Sequence, residues 1–378
     1  MMNNLSYWEK KNFFLADVIV IGAGIVGLNA AIAIKEKSQK TNVVVLERGF
    51  LPSGASTKNA GFACFGSISE LIEQEKLSGE TGLYKLIDRR WKGLLKLRNL
   101  LGDDNINYQN FGGYELFKPT EGILAQECVS KISHFNALIE DIVDKKDTYC
   151  LSNAKIENFG FRGIDELIEC KLEAQIDPGK MMKALILKAA SLGVQVLSNC
   201  KVETFTTTNH VVLETNQGRF VGNKLLVTTN AFVGELLPEL AVVPGRGQVV
   251  VTSPIDSLKV KGTFHYDKGY YYFRNIDDRI LLGGGRNLAF EAEQTTEFGK
   301  TDLIQNALIK LLKEVIIPDA EFKIEHQWSG IMAFGPQLIP IIEEVKPNVF
   351  CAVRCNGMGI AIGSQTGQEA GELVFNSL

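Results

Sequence analysis

The chain predicts an α/β protein built from two units of different character, a doubly wound parallel sheet and a second, antiparallel sheet. Three observations carry this. An apolar, β-branched strand runs directly into three glycines, a helix and a second buried strand within residues 17–48. After residue 243 the pattern changes to longer aromatic strands broken by turns, as in YYYFRNIDDRILLGGGR. Segments of the two kinds alternate, so the chain is expected to cross between the units more than once.

The first strand, Val18 to Ile21, is apolar on both faces, the pattern of a buried parallel strand. Gly22, Gly24 and Gly27 follow with G-x-G-x-x-G spacing. The first permits a tight turn, the second admits a pyrophosphate to the backbone, and the third lets the next helix pack closely on the strand. That helix, Ile25 to Lys37, offers its N-terminal amides to phosphates. The strand Val43 to Leu46 then ends in Glu47, 20 residues after Gly27, where a carboxylate can accept both hydroxyls of an adenosine ribose and repel the phosphate of NADP. A glycine turn alone is weak, but strand, turn, helix, strand and acid in register read as a Rossmann-like dinucleotide-binding unit. The motif by itself does not choose between NAD and FAD.

At 378 residues the chain exceeds one ordinary core and suggests about two domains. Hydrophobic residues at 45% and charged residues at 22% suit a soluble globular enzyme, and a formal charge of −4 argues against a nucleic-acid partner. The seven cysteines, Cys64, Cys128, Cys150, Cys170, Cys200, Cys351 and Cys355, lack CxxC spacing and read as reduced, mostly buried thiols of a cytoplasmic protein. The N-terminal stretch has lysines before an apolar run, like a secretion leader. Asp17 interrupts that run, which ends in the glycine turn rather than at a cleavage site. No stretch approaches the ~20 apolar residues that span a bilayer, so no integral membrane segment is expected.

Beyond Arg48 lies a loop of small and hydroxylated residues, in which Ser56, Thr57 and Asn59 can hydrogen-bond a planar ligand lying against Ala60 and Gly61. An ordinary surface loop is the alternative reading. Four features together, namely the G-x-G-x-x-G turn, Glu47, the stretch GASTKNAG (Gly54 to Gly61) and the C-terminal NGMGIAIGSQTGQEAGELV, resemble the D-amino-acid oxidase superfamily of FAD-dependent oxidoreductases. That group includes glycine and sarcosine oxidases, D-amino-acid dehydrogenases and gamma-glutamylputrescine oxidase. The resemblance covers nearly the whole chain and implies FAD as the dinucleotide.

The remaining elements follow in order. Residues from about Ser67 to Leu101 are helical in pattern and include KLIDRRWKGLLKLR, six basic side chains in fourteen residues, read as a solvated face rather than a membrane-binding one. A strand is expected over Phe111 to Phe117 and a helix over about Glu121 to Lys145. Asp177 and Pro178 start a helix to about Leu192, with Gly193 past its end. A hairpin, Val211 to Glu214 and Arg219 to Val221, precedes a separate buried strand from Lys224 to Thr229. Antiparallel strands turning at Asn275 to Asp278, a helix from about Lys300 to Glu314, and a small-residue helix after Gly357 and Gly359 to about Phe375 complete the chain. With the resemblance, the FAD-binding domain is expected to comprise residues 1–105, 173–242 and 327–378, and the substrate domain residues 106–172 and 243–326.

The resemblance also implies roles. Gly22, Gly24, Ile25, Gly27, Glu47 and Arg48 hold the adenosine diphosphate, with the Val202 backbone at the adenine and Thr229 near the pyrophosphate. Ser56, Thr57, Asn59, Ala60, Gly61, Gly330, Gly357, Met358 and Gly359 hold the flavin. Oxidation of an amine or amino acid transfers a hydride to flavin N5, so no catalytic triad is needed. Nor is a metal site expected, since His134, His210, His265 and His326 lie scattered without ligand spacing. Strand alternation places Tyr270, Tyr272 and Arg274 on one face, where the family has a substrate-contacting tyrosine; packing on a half-buried sheet explains the tyrosines almost as well.

Two departures matter. Members acting on amino acids often carry a carboxylate-binding arginine two residues after the glycine of a W-x-G motif, here Trp328-Ser329-Gly330, and this chain has Met332 there. Arg246, Arg274 or Arg286 can compensate, or the substrate is an amine whose carboxylate is distant or absent. Some sarcosine oxidases attach flavin to a cysteine in this segment, and none lies between Gly330 and Pro340, so FAD is expected to be noncovalent. Oxygen or a quinone-type carrier would accept the electrons. The rival readings are a flavin dehydrogenase of a hydroxy acid passing electrons to a quinone, and an FAD-binding protein without catalysis.

Overall fold

The computed structural model describes residues 5–378; residues 1–4, the start of the leader-like stretch, lie outside the described residues. Two eight-stranded sheets dominate it. The first is ordered Ile341–Lys346, Val349–Val353, Gly218–Val227, Leu15–Ile21, Val43–Leu46, Gln195–Leu197, with Val211–Thr215 and Val202–Thr207 appended beyond Gly218–Val227. Its centre is parallel and apolar throughout: Val18, Ile19 and Val20 are fully buried, and Val43 to Leu46 equally so. The helix Ile25–Lys37 and the strand Val43–Leu46 keep the expected limits. The first strand starts earlier than the apolar run, because Leu15 and Ala16 already pair with Val221 and Gly222.

That pairing also corrects the expected break between the hairpin and the next buried strand. Gly218–Val227 is continuous, pairing antiparallel with Val211–Thr215 and parallel with Leu15–Ile21. Gly222 sits where both partners meet, and a side chain there would come within 3.0 Å of Ile19. The polar Asn223 and Lys224 mimic a break in sequence but sit at the sheet margin, bonded to Asp17 and Asn348.

The second sheet runs Ile324–Phe334, Val243–Thr252, Arg279–Gly284, Tyr271–Ile276, Thr263–Tyr266, Gly113–Phe117, Glu166–Cys170, Tyr149–Leu151. All neighbours are antiparallel except Thr263–Tyr266 with Gly113–Phe117. The boundary expected at residue 327 falls inside Ile324–Phe334, which pairs with Val243–Thr252 to its end at Phe334, so the return to the first sheet comes after that residue. The helix expected at 300–314 is Asp302–Leu311 followed by a widened π turn, Leu312–Ile316.

Ser67 starts the long helix Ile68–Leu101, its amide donating to the Glu70 carboxylate at 3.0 Å, and Gly79 breaks it with φ +67°. Its basic stretch is not a free face. Arg90 is buried, donating to the Phe65 carbonyl at 2.9 Å and Gln74 at 3.0 Å, while Arg89, Lys92 and Arg98 pair with Glu369, Asp88 and Asp103. No helix among the described residues is long and apolar enough to cross a membrane.

The C-terminal helix Gly359–Phe375 lies against Ile25–Lys37 through Gly363, Gly367 and Gly371, spaced one helical turn apart. A Cβ on Gly363 would come 2.7 Å from Ile25 Cγ2, on Gly367 2.5 Å from the Val26 carbonyl, and on Gly371 2.6 Å from the Ala30 carbonyl. At Gly367 and Gly371 backbone opposes backbone, with no flexible side chain to move aside, while Gly363 meets the Ile25 side chain. Gly367→Leu is therefore expected to cost about 2 kcal/mol or more of stability, measured by chemical denaturation. An unchanged midpoint would show that the helices can separate freely.

Candidate active site

A cavity of about 480 Å³ is lined by residues of both sheets and by the N-terminal turns of both these helices. At one end it is built from the glycine turn and the end of Val43–Leu46. Glu47 is buried and braces that end, its carboxylate accepting from the amides of Ala23 at 3.1 Å and Gly49 at 2.9 Å. Gly22 lies directly over Thr228, and Gly27 packs so closely that a Cβ would sit 2.1 Å from the Gly22 carbonyl. Gly27 therefore shapes the turn without lining the cavity. Ser56 Oγ accepts from the Ile25 amide at 2.9 Å, tying the second loop to the first helix. Arg48 lines the wall, stacked 3.9 Å over the Phe232 ring and paired with Glu235 at 3.2 Å, and Val202 and Thr229 line it as well.

Around Asn59 the polar groups that were expected to meet a ligand mostly shape the loop instead. Asn59 Nδ2 donates to the Ala55 and Ser56 carbonyls, and its Oδ1 accepts from the Gly61 amide at 2.8 Å. Thr57 donates to the Pro52 carbonyl at 2.6 Å and does not line the cavity. Facing inward are Pro52 to Ser56 and the strip Lys58 to Phe62, with Gly330, Met332 and the turn Gly357, Met358, Gly359 also lining the cavity. Trp328 Nε1 donates to the Lys58 carbonyl at 2.9 Å, clamping the loop to the second sheet. The helix from Gly359 has no side-chain cap, so its first amides are free to face the cavity.

Tyr272 of the second sheet lines the cavity, and so does Tyr270, which lies in the turn before Tyr271–Ile276 rather than in the strand expected to hold it. Burial pushes the Tyr272 phenol up to about 12, so it stays a hydrogen-bond donor. Arg274 shares their face but does not line the cavity. Its guanidinium is buried beneath the Gly61 turn and donates to the Ile176 carbonyl at 2.8 Å; burial lowers its pKa to about 10. It forms no ion pair with Asp277 or Asp278, so it neither reaches a substrate nor caps the hairpin turn. Arg246 is also occupied, held by both oxygens of Glu293 at 2.8 Å. Arg286 differs. It lines the cavity, lies 4.2 Å over the Phe334 ring and 5.1 Å over the Phe290 ring, and meets no carboxylate or hydrogen-bond acceptor among the described residues.

Sequence reasoning passed over Cys64, Glu173 and His265. Cys64 and His265 line the cavity and Glu173 packs behind them, its Oε2 3.5 Å from His265 Nε2. Burial and Glu173 push the Cys64 thiol to about 11. Burial alone would lower the His265 pKa, yet Cys64, Glu173 and Glu70 together hold it well above its ordinary value. No spacing signal links residues 64, 173 and 265, which only the folded sheets bring together.

The model of the DAO family, FAD dependent oxidoreductases, matches residues 17–373. The chain belongs to this family. It is similar to a probable oxidoreductase OrdL of Haemophilus influenzae, 23% identical over 395 residues, with 95% of this chain and 83% of that protein covered. It is similar to glycine oxidase of Geobacillus kaustophilus at 22% identity, covering 95% and 92% of the two chains. The solved structure of glycine oxidase from Geobacillus kaustophilus superposes with a TM-score of 0.73 at 20% identity, covering 96% of this chain and 95% of that one. Iminodiacetate oxidase from Chelativorans sp. BNC1 gives 0.74 at 19% identity, covering 95% of each. At such identities the structural likeness speaks for the fold.

This DAO-family chain is thus an FAD-dependent oxidoreductase. Its cavity fits the cofactor on its own terms: Thr229 Oγ1 is buried there without an internal partner, Gly24 leaves room beside Ser56 Oγ, and a buried carboxylate closes the end of Val43–Leu46. Glu47→Ala removes charge-assisted hydrogen bonds worth ~1.5 to 3 kcal/mol each, so FAD affinity should fall more than tenfold in a titration of apoprotein. Equal affinity would take Glu47 out of the site.

Proposed function

We propose that the enzyme oxidises the carbon–nitrogen bond of an amine or amino acid carrying an anionic group, and that Arg286 binds that group. The observation behind this reading is the unpaired guanidinium of Arg286 in the cavity wall, between Phe290 and Phe334. A planar fork with no internal partner, in partly desolvated surroundings, is suited to a carboxylate taken bidentately. Arg286 then replaces the arginine absent at Met332, whereas Arg246 and Arg274 are already engaged.

When bound, FAD supplies the electron sink, accepting a hydride from the substrate carbon at N5. The chain's own residues bind and orient. Glu47, Arg48, Val202, Thr229 and the glycine turn hold the adenosine diphosphate end. Ala60, Gly61, Gly330 and the amides from Gly357 to Gly359 hold the flavin end. Tyr272 donates its phenol proton to the substrate, Tyr270 flanks Arg286 at the mouth, and Phe62, Met332 and Phe334 keep water from the reacting carbon. Cys64, Cys200 and Cys355 also line the cavity, but burial raises all three thiols, Cys64 to about 11 and Cys355 to about 12, so none is a ready nucleophile toward flavin. FAD is accordingly bound noncovalently. Seven free cysteines, six of them buried, suit action in the reducing cytoplasm.

Acid denaturation is expected to release all FAD into the supernatant; flavin remaining with the precipitate would overturn noncovalent binding. The function itself is tested by an anaerobic panel of amines, amino acids and hydroxy acids, watching for flavin bleaching, followed by reoxidation with oxygen or a quinone. Bleaching by hydroxy acids alone would refute the carbon–nitrogen reading. With a bleaching anionic substrate, Arg286→Met should raise the half-saturating concentration by about ten- to a hundredfold while FAD content stays constant. Arg274→Met should instead lower the melting temperature with little change in half-saturation, and the reverse pattern would return the substrate role to Arg274.

A further inference from the structure

We propose that Cys64, Glu173 and His265 form a binding site for a thiophilic divalent cation such as zinc, set in the wall of the substrate cavity. The three arrive from separate segments. Cys64 follows the short strand Phe62–Ala63, Glu173 precedes Ala174–Gln175, and these two strands pair antiparallel; His265 stands on Thr263–Tyr266. One thiol, one carboxylate oxygen and one imidazole nitrogen lie within 4.8 Å of one another, all on buried residues. Gly113 makes the space: a Cβ there would fall 1.9 Å from Glu173 Oε2.

A second, independent observation points to a ligand. Glu173 Oε1 is buried without any hydrogen-bond partner, and His265 Nε2 makes no hydrogen bond and has only its 3.5 Å ion-pair contact with Glu173 Oε2, on residues only 1% and 7% exposed. Unpaired polar atoms at such depth are costly, and a cation shared among them removes that cost. The donor set of sulfur, nitrogen and oxygen suits zinc and not magnesium or calcium, which take oxygen shells. Cys64 and His265 reach the cavity while Glu173 stands behind them, so three protein ligands would leave a fourth position open to the cavity, as in zinc sites that exchange water or substrate.

The charge balance is favourable. Zinc forms bonds to sulfur, nitrogen and oxygen, and the thiol proton together with the imidazolium proton leaves for solvent. Two positive charges replace two, so the buried cluster keeps its net charge. Glu70 and Glu115, the other carboxyls facing His265, favour a cation over an anion at this spot.

The test uses FAD-loaded enzyme, stripped with chelator and titrated with zinc alone against a chromophoric competitor. About one equivalent should bind, and Cys64→Ser and Glu173→Gln should each weaken binding more than tenfold. A trio of half-buried Glu75 and His134 with exposed Glu80 is a second place where zinc can settle, so His134→Ala should leave this affinity unchanged. Cobalt in place of zinc should give visible thiolate-ligand bands beyond the flavin absorption, lost in Cys64→Ser; flavin content checks that each variant is folded. Should Cys64→Ser not fold, Glu173→Gln and the wild-type cobalt spectrum decide. Substoichiometric zinc, affinity unchanged in Cys64→Ser and Glu173→Gln, or loss of binding in His134→Ala alone would overturn the proposal.

Discussion

The backbone contact between Ile25–Lys37 and Gly359–Phe375 is the constraint on which the site depends. Because Gly367 and Gly371 offer no side chains, the two helices approach until backbone meets backbone, Gly363 leaves room for the Ile25 side chain, and their N-terminal turns open onto the same cavity. One turn follows the glycine loop at Gly24 and the other follows Gly357. First-turn amides of both helices thus face the cavity from two directions, and any shift of one helix along the other would move one end of the site relative to the other.

The loop from Ala55 to Phe62 joins this framework to the second sheet. Trp328 holds the Lys58 carbonyl from one side, Arg274 supports the Gly61 turn from below through the Ile176 carbonyl, and Ser56 reaches back to the first helix. Residues whose types suggest ligand contact therefore serve to fix the backbone on which the ligand rests. That division of labour explains why the loop can be rich in hydroxyl and amide groups and still present mainly backbone and apolar surface to the cavity.

Much of the fold was legible in the sequence, because buried parallel strands are apolar on both faces and the glycine spacing stands in register with a strand, a helix and an acid that give it a geometric meaning. The helix Ile25–Lys37 and the strand Val43–Leu46 needed nothing further. The join inside Gly218–Val227 was not legible, since Asn223 and Lys224 look like a break and only the neighbouring strands show why the chain stays extended there. The three arginines show the same limit within the site. Alternation put Arg274 on the correct face, yet strand periodicity says nothing of what covers the far end of that face. Depth and partners separate Arg246, Arg274 and Arg286, and neither has a sequence signature. The grouping of residues 64, 173 and 265 is likewise a product of sheet order alone.

The order in which the chain fills the first sheet bears on when the protein can acquire its flavin. Strands from residues 15–46 lie beside strands from 195–227, and Val349–Val353 joins the sheet only after all of these have been made, followed by the helix that completes the cavity wall. A polypeptide still emerging from the ribosome can form the glycine turn early, but lacks the opposing wall from Gly330 to Ala361. Cofactor capture thus waits until Gly359–Phe375 has been made, and a product interrupted before it would expose a half-built cleft, the kind of surface that chaperones and proteases recognise.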